Sequence, residues 1–136
     1  MIAVTRFQLE HLAGFPDSPL PTLPKMVGYT VWSGDRVLAC GGTAPCEWGQ
    51  ELWIYVRDDL TQGQRITVAR IARARVRSAL EANGELHACA RRGNERWLRW
   101  LGLHLVEVLV DDNLREIRRW KAEAAWVSRR HSSSRR

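Results

Sequence analysis

The sequence predicts a single α/β (α+β) domain whose mixed, mainly antiparallel sheet is flanked by helices. Three observations support this fold class. The first half of the chain is rich in short β-prone runs, a long amphipathic helix lies between two strands, and a short helix precedes a final strand pair. A hairpin-rich segment that feeds a strand–helix–strand crossover implies a mixed sheet with helices on its faces.

The N-terminal half supplies most of the predicted strands. A first strand leads into a short helix and a proline-rich loop, because proline fixes φ and lacks an N–H donor. A polar turn at 33–36 then separates two strands, and a loop with Pro45 and Gly49 precedes an almost continuously apolar strand that we expect to be buried on both faces. In order, these elements are Ile2–Arg6, Phe7–Ala13, Gly14–Pro24, Tyr29–Trp32, Val37–Gly42, Thr43–Gln50 and Glu51–Val56.

The C-terminal half contains the clearest helix. Residues Arg65–Ala82 repeat apolar side chains at three- and four-residue steps, and Asn83-Gly84 is a typical helix stop. A strand, a short helix and another strand follow, and the last run is a strand, which we favour, or a helix. The apolar stripe is Ile66, Ala69, Ala72, Val76 and Leu80, and the later elements are Glu85–Ala90, Asn94–Leu101, Leu103–Val110 and Leu114–Trp120.

Composition limits the classes of function. The length of 136 residues suits one domain, predicted over 1–128 with a basic tail at 129–136. No apolar run is long enough to span a bilayer and no signal-peptide pattern is present, so we expect a cytoplasmic protein without a membrane partner. The three cysteines match no zinc pattern, which predicts neither a metal site nor a disulfide.

The net charge of +6 is concentrated in the tail and in one helix. Arg70, Arg73 and Arg77 share a helix face, whose default interpretation is a solvated surface. Contact with a phosphate of a nucleotide cofactor, or weak non-specific contact with nucleic acid, is the alternative.

Three sequence blocks resemble a known family. They are YTVWSGDRVLACGG at 29–42, WGQELWIYV at 48–56 and RWLRWLGLHLVEV at 96–108. Their content and order are similar to small phage-encoded proteins of the GNAT acetyltransferase superfamily, including the group known as internal virion protein A. The resemblance covers about residues 27–120. It implies a GNAT-like fold and transfer of acetyl from acetyl-CoA to an amine acceptor in the bacterial host cytoplasm. The alternative is a phage virion protein, internal or ejected, that contacts other virion proteins without turnover.

The resemblance also implies site residues. Glu51 matches an acidic position before a tryptophan and is the candidate base for the amine, with Glu47 as a second choice. The alternative for Glu51 is a half-exposed residue at a strand start. The family's phosphate-binding signature falls on residues 61–67, where one of its glycines is missing, so a plain helix start is the alternative there. The predicted cofactor contacts are Val56, Thr61, Gly63, Gln64, Arg65 and Asn94, the last being alternatively a helix N-cap.

One departure from the family concerns the proton donor for the leaving thiolate. GNAT enzymes often carry a tyrosine on the short helix, whereas this chain has Trp97 and Trp100 there, and its two tyrosines are elsewhere. An indole N–H is too weak an acid for this role. We expect the two tryptophans, which lie three residues apart on one helix face, to pack onto the sheet.

Overall fold

The computed structural model describes residues 1–15, 25–90 and 95–123. Its strands form a seven-stranded sheet in the order β1-β2-β3-β4-β5-β7-β6, with parallel pairing between β4 and β5 and antiparallel pairing at both ends. The predicted fold class is therefore confirmed. The strands are β1 (Ile2–Arg6), β2 (Val27–Ser33), β3 (Arg36–Cys46), β4 (Gly49–Val56), β5 (Glu85–Ala90), β6 (His104–Val110) and β7 (Glu116–Glu123). The helices are α1 (Gln62–Asn83), α2 (Glu95–Trp100) and a 3₁₀ helix at Leu9–Gly14.

The chain divides into two compact units, the first of which contains Met1–Pro45 and Leu52–Arg75. Here β1, β2 and β3 pair as an antiparallel meander. Glycines at positions 28 and 42 let β2 and β3 approach closely, because a Cβ on either residue would collide with the backbone of the other strand. An apolar cluster with several aromatic neighbours fills one part of this unit. Its buried members are Val37, Cys40, Ala44 and Trp53, and its partly buried neighbours include Phe7, Phe15 and Tyr55.

The second unit contains Cys46–Glu51 and the described residues from 76 onward. Along β5 the side chains alternate between the two faces of the sheet. Leu86 and Ala88 are buried, and they are flanked on the opposite face by Glu85, His87 and Cys89. Leu98 is the buried residue of α2, and Trp120 of β7 is almost fully buried. Val76 and Leu80 of α1 are buried, as the helical repeat predicts.

Several predicted elements are confirmed. The strand Glu85–Ala90 is observed with its predicted bounds, and the last run is a strand. The helix α1 ends at Asn83, followed by Gly84 at φ 80°, which is a glycine-favouring conformation. The domain boundary at residue 128, the tail and Asn94 lie outside the described residues.

The predicted loop Thr43–Gln50 is wrong. Strand β3 continues through Pro45 to Cys46, a two-residue turn follows, and β4 begins at Gly49. Proline is tolerated near a strand end, and Gly49 has φ 130°, a conformation that only glycine adopts readily. Residues that indicate a loop in the sequence therefore form a tight hairpin.

Burial differs from the prediction at three further places. Strand β4 is not buried on both faces, since Trp53 is its one buried residue and most others are half-buried. Ile66 is 46% exposed, and Val68 is the buried residue of that turn of α1. Trp100 is 41% exposed, and Leu98 is the buried residue of the six-residue helix. The two tryptophans instead contact each other edge to face, 6.4 Å apart.

Candidate active site

Glu51 lies near the start of β4, in the second unit, where it is paired with His87 of β5 in parallel register. Its side chain is half-buried, and this burial raises the pKa of the carboxyl above its usual value. A hydrogen bond with the Cys89 thiol and the electrostatic effect of His87 oppose that rise. A carboxylate with a raised pKa is a better proton acceptor than an ordinary surface glutamate, which is the property that a general base needs.

His87, the residue that pairs with Glu51, is only 3% exposed. Its Nε2 lies 3.1 Å from Oε1 of Glu85, and its Nδ1 lies 3.4 Å from Nη1 of Arg119. Because a guanidinium only donates, Nδ1 is the acceptor, and we assign the ring hydrogen to Nε2, which donates to Glu85. His87 is therefore fixed in one orientation by contacts on both nitrogens.

Charged side chains of β6 and β7 extend this polar face of the second unit. The Nε atom of Arg119 donates to Glu107 at 2.7 Å, and the Arg119 guanidinium stacks 5.1 Å from the ring of Trp48. Lys121 bridges Glu85 at 3.2 Å and Glu123 at 3.0 Å. Hydrogen bonds from His87 and Lys121 lower the pKa of Glu85. Glu51 thus differs from these three carboxylates, which are paired with cations.

Sequence reasoning missed His87 and Arg119. The available signal was the alternation of Glu85, His87 and Cys89 along β5, which places three chemistry-bearing side chains on one face. Arg119 reaches this group because Cys89 of β5 pairs with it in antiparallel register.

The Cys89 thiol contacts the Glu51 carboxylate, and partial burial together with that negative charge raises the pKa of Cys89 to about 11. A thiol with so high a pKa is almost entirely protonated near neutral pH and is a weak nucleophile. Cys89 therefore acts as a hydrogen-bond partner for Glu51. All three cysteines are free.

The second predicted base, Glu47, is placed differently from Glu51. It occupies the exposed two-residue turn between β3 and β4. Its side chain is exposed, whereas that of Glu51 is half-buried.

The start of α1, in the first unit, carries four of the predicted cofactor contacts. Oγ1 of Thr61 accepts from the Gln64 backbone N–H at 3.2 Å, and Oε1 of Gln64 accepts from the Thr61 backbone N–H at 3.0 Å. This reciprocal pair is a capping box, which satisfies one of the helix's own N-terminal donors. Arg65 donates to the backbone oxygen of Asp58 at 3.3 Å. Gly63 faces open space, since a Cβ on this residue would meet no atom within 4 Å.

The remaining predicted contacts are less defined. Val56 ends β4 and is half-buried. Arg70, Arg73 and Arg77 of α1 are exposed, in agreement with a solvated helix face. Neither tyrosine lies on α2. Tyr29 is buried under Arg75, and burial raises its pKa to about 12, which makes it a poor proton donor.

Two further features concern metals and membranes. Within residues 1–15, 25–90 and 95–123, no group of three or more metal-ligating side chains is arranged to bind an ion. None of the described helices is long and apolar enough to cross a membrane.

Comparison with solved structures identifies the class of fold. The fold of this chain matches that of GNAT acetyltransferases. No family model and no curated protein sequence matches the chain. The likeness is therefore one of structure.

Three solved structures illustrate it. A Bacillus subtilis acetyltransferase in complex with CoA has a TM-score of 0.63 at 11% identity, over 90% of this chain and 97% of that one. The Escherichia coli ribosomal-protein-S18-alanine N-acetyltransferase gives 0.62 at 11% identity, over 91% and 94%. The Enterococcus faecium aminoglycoside 6'-N-acetyltransferase gives 0.64 at 11% identity, over 90% and 97%. At these identities the likeness establishes the fold, and function must be argued from the site.

Proposed function

We propose that this protein is an acyl-CoA N-acyltransferase that binds acetyl-CoA and transfers the acetyl group to an amine. The observation that carries the proposal is the half-buried Glu51, whose pKa is raised by burial, on a fold shared with N-acetyltransferases. Acetyl-CoA supplies an activated thioester. Glu51 accepts the proton of the attacking amine as the new C–N bond forms and the C–S bond breaks, so that CoA leaves.

His87 and Cys89 position Glu51 in this proposal. The parallel pairing fixes the backbone of Glu51 against His87, and the Cys89 thiol bonds to the carboxylate. Because His87 is itself fixed by Glu85 and Arg119, the Glu51 side chain is surrounded by groups that have few alternative orientations. Glu47, exposed in the turn, is the weaker candidate for the base.

The proposed phosphate site is the first turn of α1, where unpaired backbone donors and the positive end of the helix dipole favour anions. Gly63 leaves room for a phosphate beside the backbone. The Arg65 guanidinium would exchange its bond with Asp58 for a charge-assisted bond to the phosphate. The capping box uses the Gln64 N–H, so binding would either leave that bond in place or displace the Thr61 side chain. Val56 and Asn94 complete the proposed contacts.

The alternative is a protein that keeps the fold without turnover, such as an internal or ejected phage virion protein that contacts other virion proteins. Two observations favour it. The helix α2 carries Trp97 and Trp100 where an acid would be expected, and the start of α1 is already capped by its own side chains. Such a protein would act in the virion, and the exposed arginines of α1 would give it weak non-specific contact with nucleic acid.

Titration with acetyl-CoA separates these two functions. Isothermal calorimetry and thermal unfolding should show binding, with a stabilisation of about 2.7 kcal/mol at a ligand concentration 100 times Kd. If millimolar acetyl-CoA produces neither heat nor a shift in Tm, the enzyme proposal is wrong and the alternative is favoured.

A variant at the proposed phosphate site makes the titration specific. Gly63→Glu places a carboxylate where the phosphate would lie, and the open space around Gly63 should accommodate the side chain. We expect acetyl-CoA binding to be lost while Tm without ligand stays close to that of the native protein. The matched control is Ser78→Glu, the same charge change at an exposed position of the same helix. If Gly63→Glu binds acetyl-CoA as well as Ser78→Glu does, the phosphate site lies elsewhere.

A further inference from the structure

Strand β6 is the last strand in the sheet order, and it pairs with β7 along one side. Its outer edge meets no strand among the described residues. An edge strand presents unpaired backbone N–H and C=O groups, and natural proteins usually protect such an edge with lysine, proline, charge or a bulge. Strand β6 contains no lysine or proline, and its bulge between Leu105 and Glu107 leaves the segment 107–110 regular.

This edge is also unusually apolar. Valines at positions 106, 108 and 110 are 42%, 50% and 65% exposed, and Leu105 is 41% exposed. The one acidic residue of the strand, Glu107, is turned to Arg119 of the neighbouring strand. Exposed apolar residues that cluster on one strand, rather than lying singly, indicate an interaction surface.

The helix α2 contacts β7, the strand that pairs with β6. Arg118 of β7 joins this helix through Glu95 at 2.7 Å, and Arg99 of the helix stacks 5.6 Å from the ring of Trp120. Because Leu105 pairs with Trp120 and Val108 pairs with Arg118, these two β6 residues lie directly beside the strand that α2 contacts. Trp100 of α2 is also exposed.

The net charge of this part of the chain favours a second copy over a nucleic acid as the partner. The segment 95–123 contains six cationic and six acidic residues, so it has no net charge although the whole chain carries +6. Several of these charges are already paired within the segment, including Glu95 with Arg118 and Glu107 with Arg119. A nucleic acid would gain little here, whereas the same segments of two copies, neither of which has a net charge, can approach each other without local charge repulsion.

We propose that β6 pairs antiparallel with β6 of a second copy, which makes the protein a two-fold symmetric dimer. The same edge on both copies is self-complementary, as a two-fold interface requires. A two-fold axis beside Val108 sets Val108 against Val108 of the second copy and places each Glu107 opposite Leu109, so the two Glu107 side chains do not face each other. The inference concerns assembly and is independent of the proposed transfer reaction.

Sedimentation velocity over a range of protein concentrations tests the dimer. We expect the native chain to dimerise and the double variant Val108→Lys, Val110→Lys to raise the dissociation constant by at least about 100-fold. The matched control is Val4→Lys on β1, the strand at the other end of the sheet order, where the valine is 38% exposed. This control should leave the dissociation constant unchanged.

Hydrogen exchange of the native chain keeps the test independent of whether the variants fold. Amides of 107–110 should become more protected as the protein concentration rises. A native chain that stays monomeric at millimolar concentration would overturn the proposal. So would a dimer that Val4→Lys disrupts and the β6 variant does not, or protection of β6 that is the same at every concentration, which would mean that the chain covers its own edge.

Discussion

At the start of α1, the side-chain oxygens of Thr61 and Gln64 each accept a hydrogen bond from the backbone N–H of the other residue. Glu51, near the start of β4, is instead half-buried and hydrogen-bonded to the Cys89 thiol. Both are candidate functional positions, but they satisfy their polar groups differently. The helix start needs no ligand to complete its capping box. The Glu51 carboxylate is desolvated without an arginine or lysine among the causes of its pKa shift.

This difference shows which of the two positions carries more functional information. A capped helix start is stable in any protein and says little about ligands. A carboxylate whose pKa is raised by burial opposes folding when it ionises, so its presence calls for a functional reason. The neighbouring Glu85, by contrast, has its pKa lowered by His87 and Lys121, which is the ordinary stabilising arrangement.

The largest expected effect comes from removing the carboxylate of Glu51. Glu51→Gln keeps the shape of the side chain and abolishes its capacity to accept a proton. We expect the rate of acetyl transfer to fall about 100-fold to 10,000-fold, the usual contribution of a general base, with acetyl-CoA binding retained. Steady-state kinetics and calorimetry on the same variant measure the two quantities.

Glu47→Gln is the matched control for that experiment, since it makes the same substitution in the exposed turn. Its rate should stay within about twofold of the native value, because surface substitutions usually change free energies by less than ~0.5 kcal/mol. If the native protein transfers acetyl as proposed, kcat/KM should rise with pH through the raised pKa of Glu51, since the base must be ionised. If Glu51→Gln turns over normally, Glu51 is not the base.

Much of the fold could be predicted from the sequence because it rests on local patterns. The apolar repeat of α1, its stop at Asn83-Gly84 and the strand Glu85–Ala90 are all determined within a few residues. The hairpin between β3 and β4 was predicted as a loop because Pro45 and Gly49 are residue types that usually interrupt strands. A turn can use those same residues to reverse the chain within two positions.

The candidate site was predictable only in part, for a different reason. Glu51, Thr61 and Gln64 were singled out through the family resemblance of their segments, and the capping role of Thr61 and Gln64 was missed. His87 and Arg119 are 32 residues apart and meet only through the register of β5 against β7. Local sequence carries no information on that register.

A moderate effect is expected from removing the capping box. Thr61→Ala deletes the acceptor for the Gln64 N–H and should lower the free energy of unfolding by about 0.5–2 kcal/mol. Chemical denaturation without ligand measures this loss. If the phosphate of acetyl-CoA binds the same donors, saturating ligand should replace the lost bond, and the gap between variant and native protein should narrow.

Thr67→Ala is the control for the capping variant. The Thr67 hydroxyl donates to the Gly63 backbone oxygen within the helix, so its loss removes a hydroxyl from the same helix without removing a cap. Such back-bonding stabilises a helix little. We expect a smaller change in stability that acetyl-CoA does not alter. A gap for Thr61→Ala that stays constant with ligand would place the phosphate away from this helix start.

The smallest expected effect is a pH-dependent change in stability from the same Glu51→Gln substitution. Because the pKa of Glu51 is raised in the folded state, its contribution to stability is fully present below the unfolded pKa and is lost as pH rises through the folded pKa. Glutamine does not titrate, so the variant escapes this loss. The free energy of unfolding of the variant, relative to the native protein, should therefore increase with pH across the acidic range and then level off. Urea denaturation at several pH values, with Glu47→Gln measured in parallel, tests the sign. A difference that grows as pH falls would mean that the folded protein stabilises the ionised carboxylate, and Glu51 would then resemble Glu85 rather than a general base.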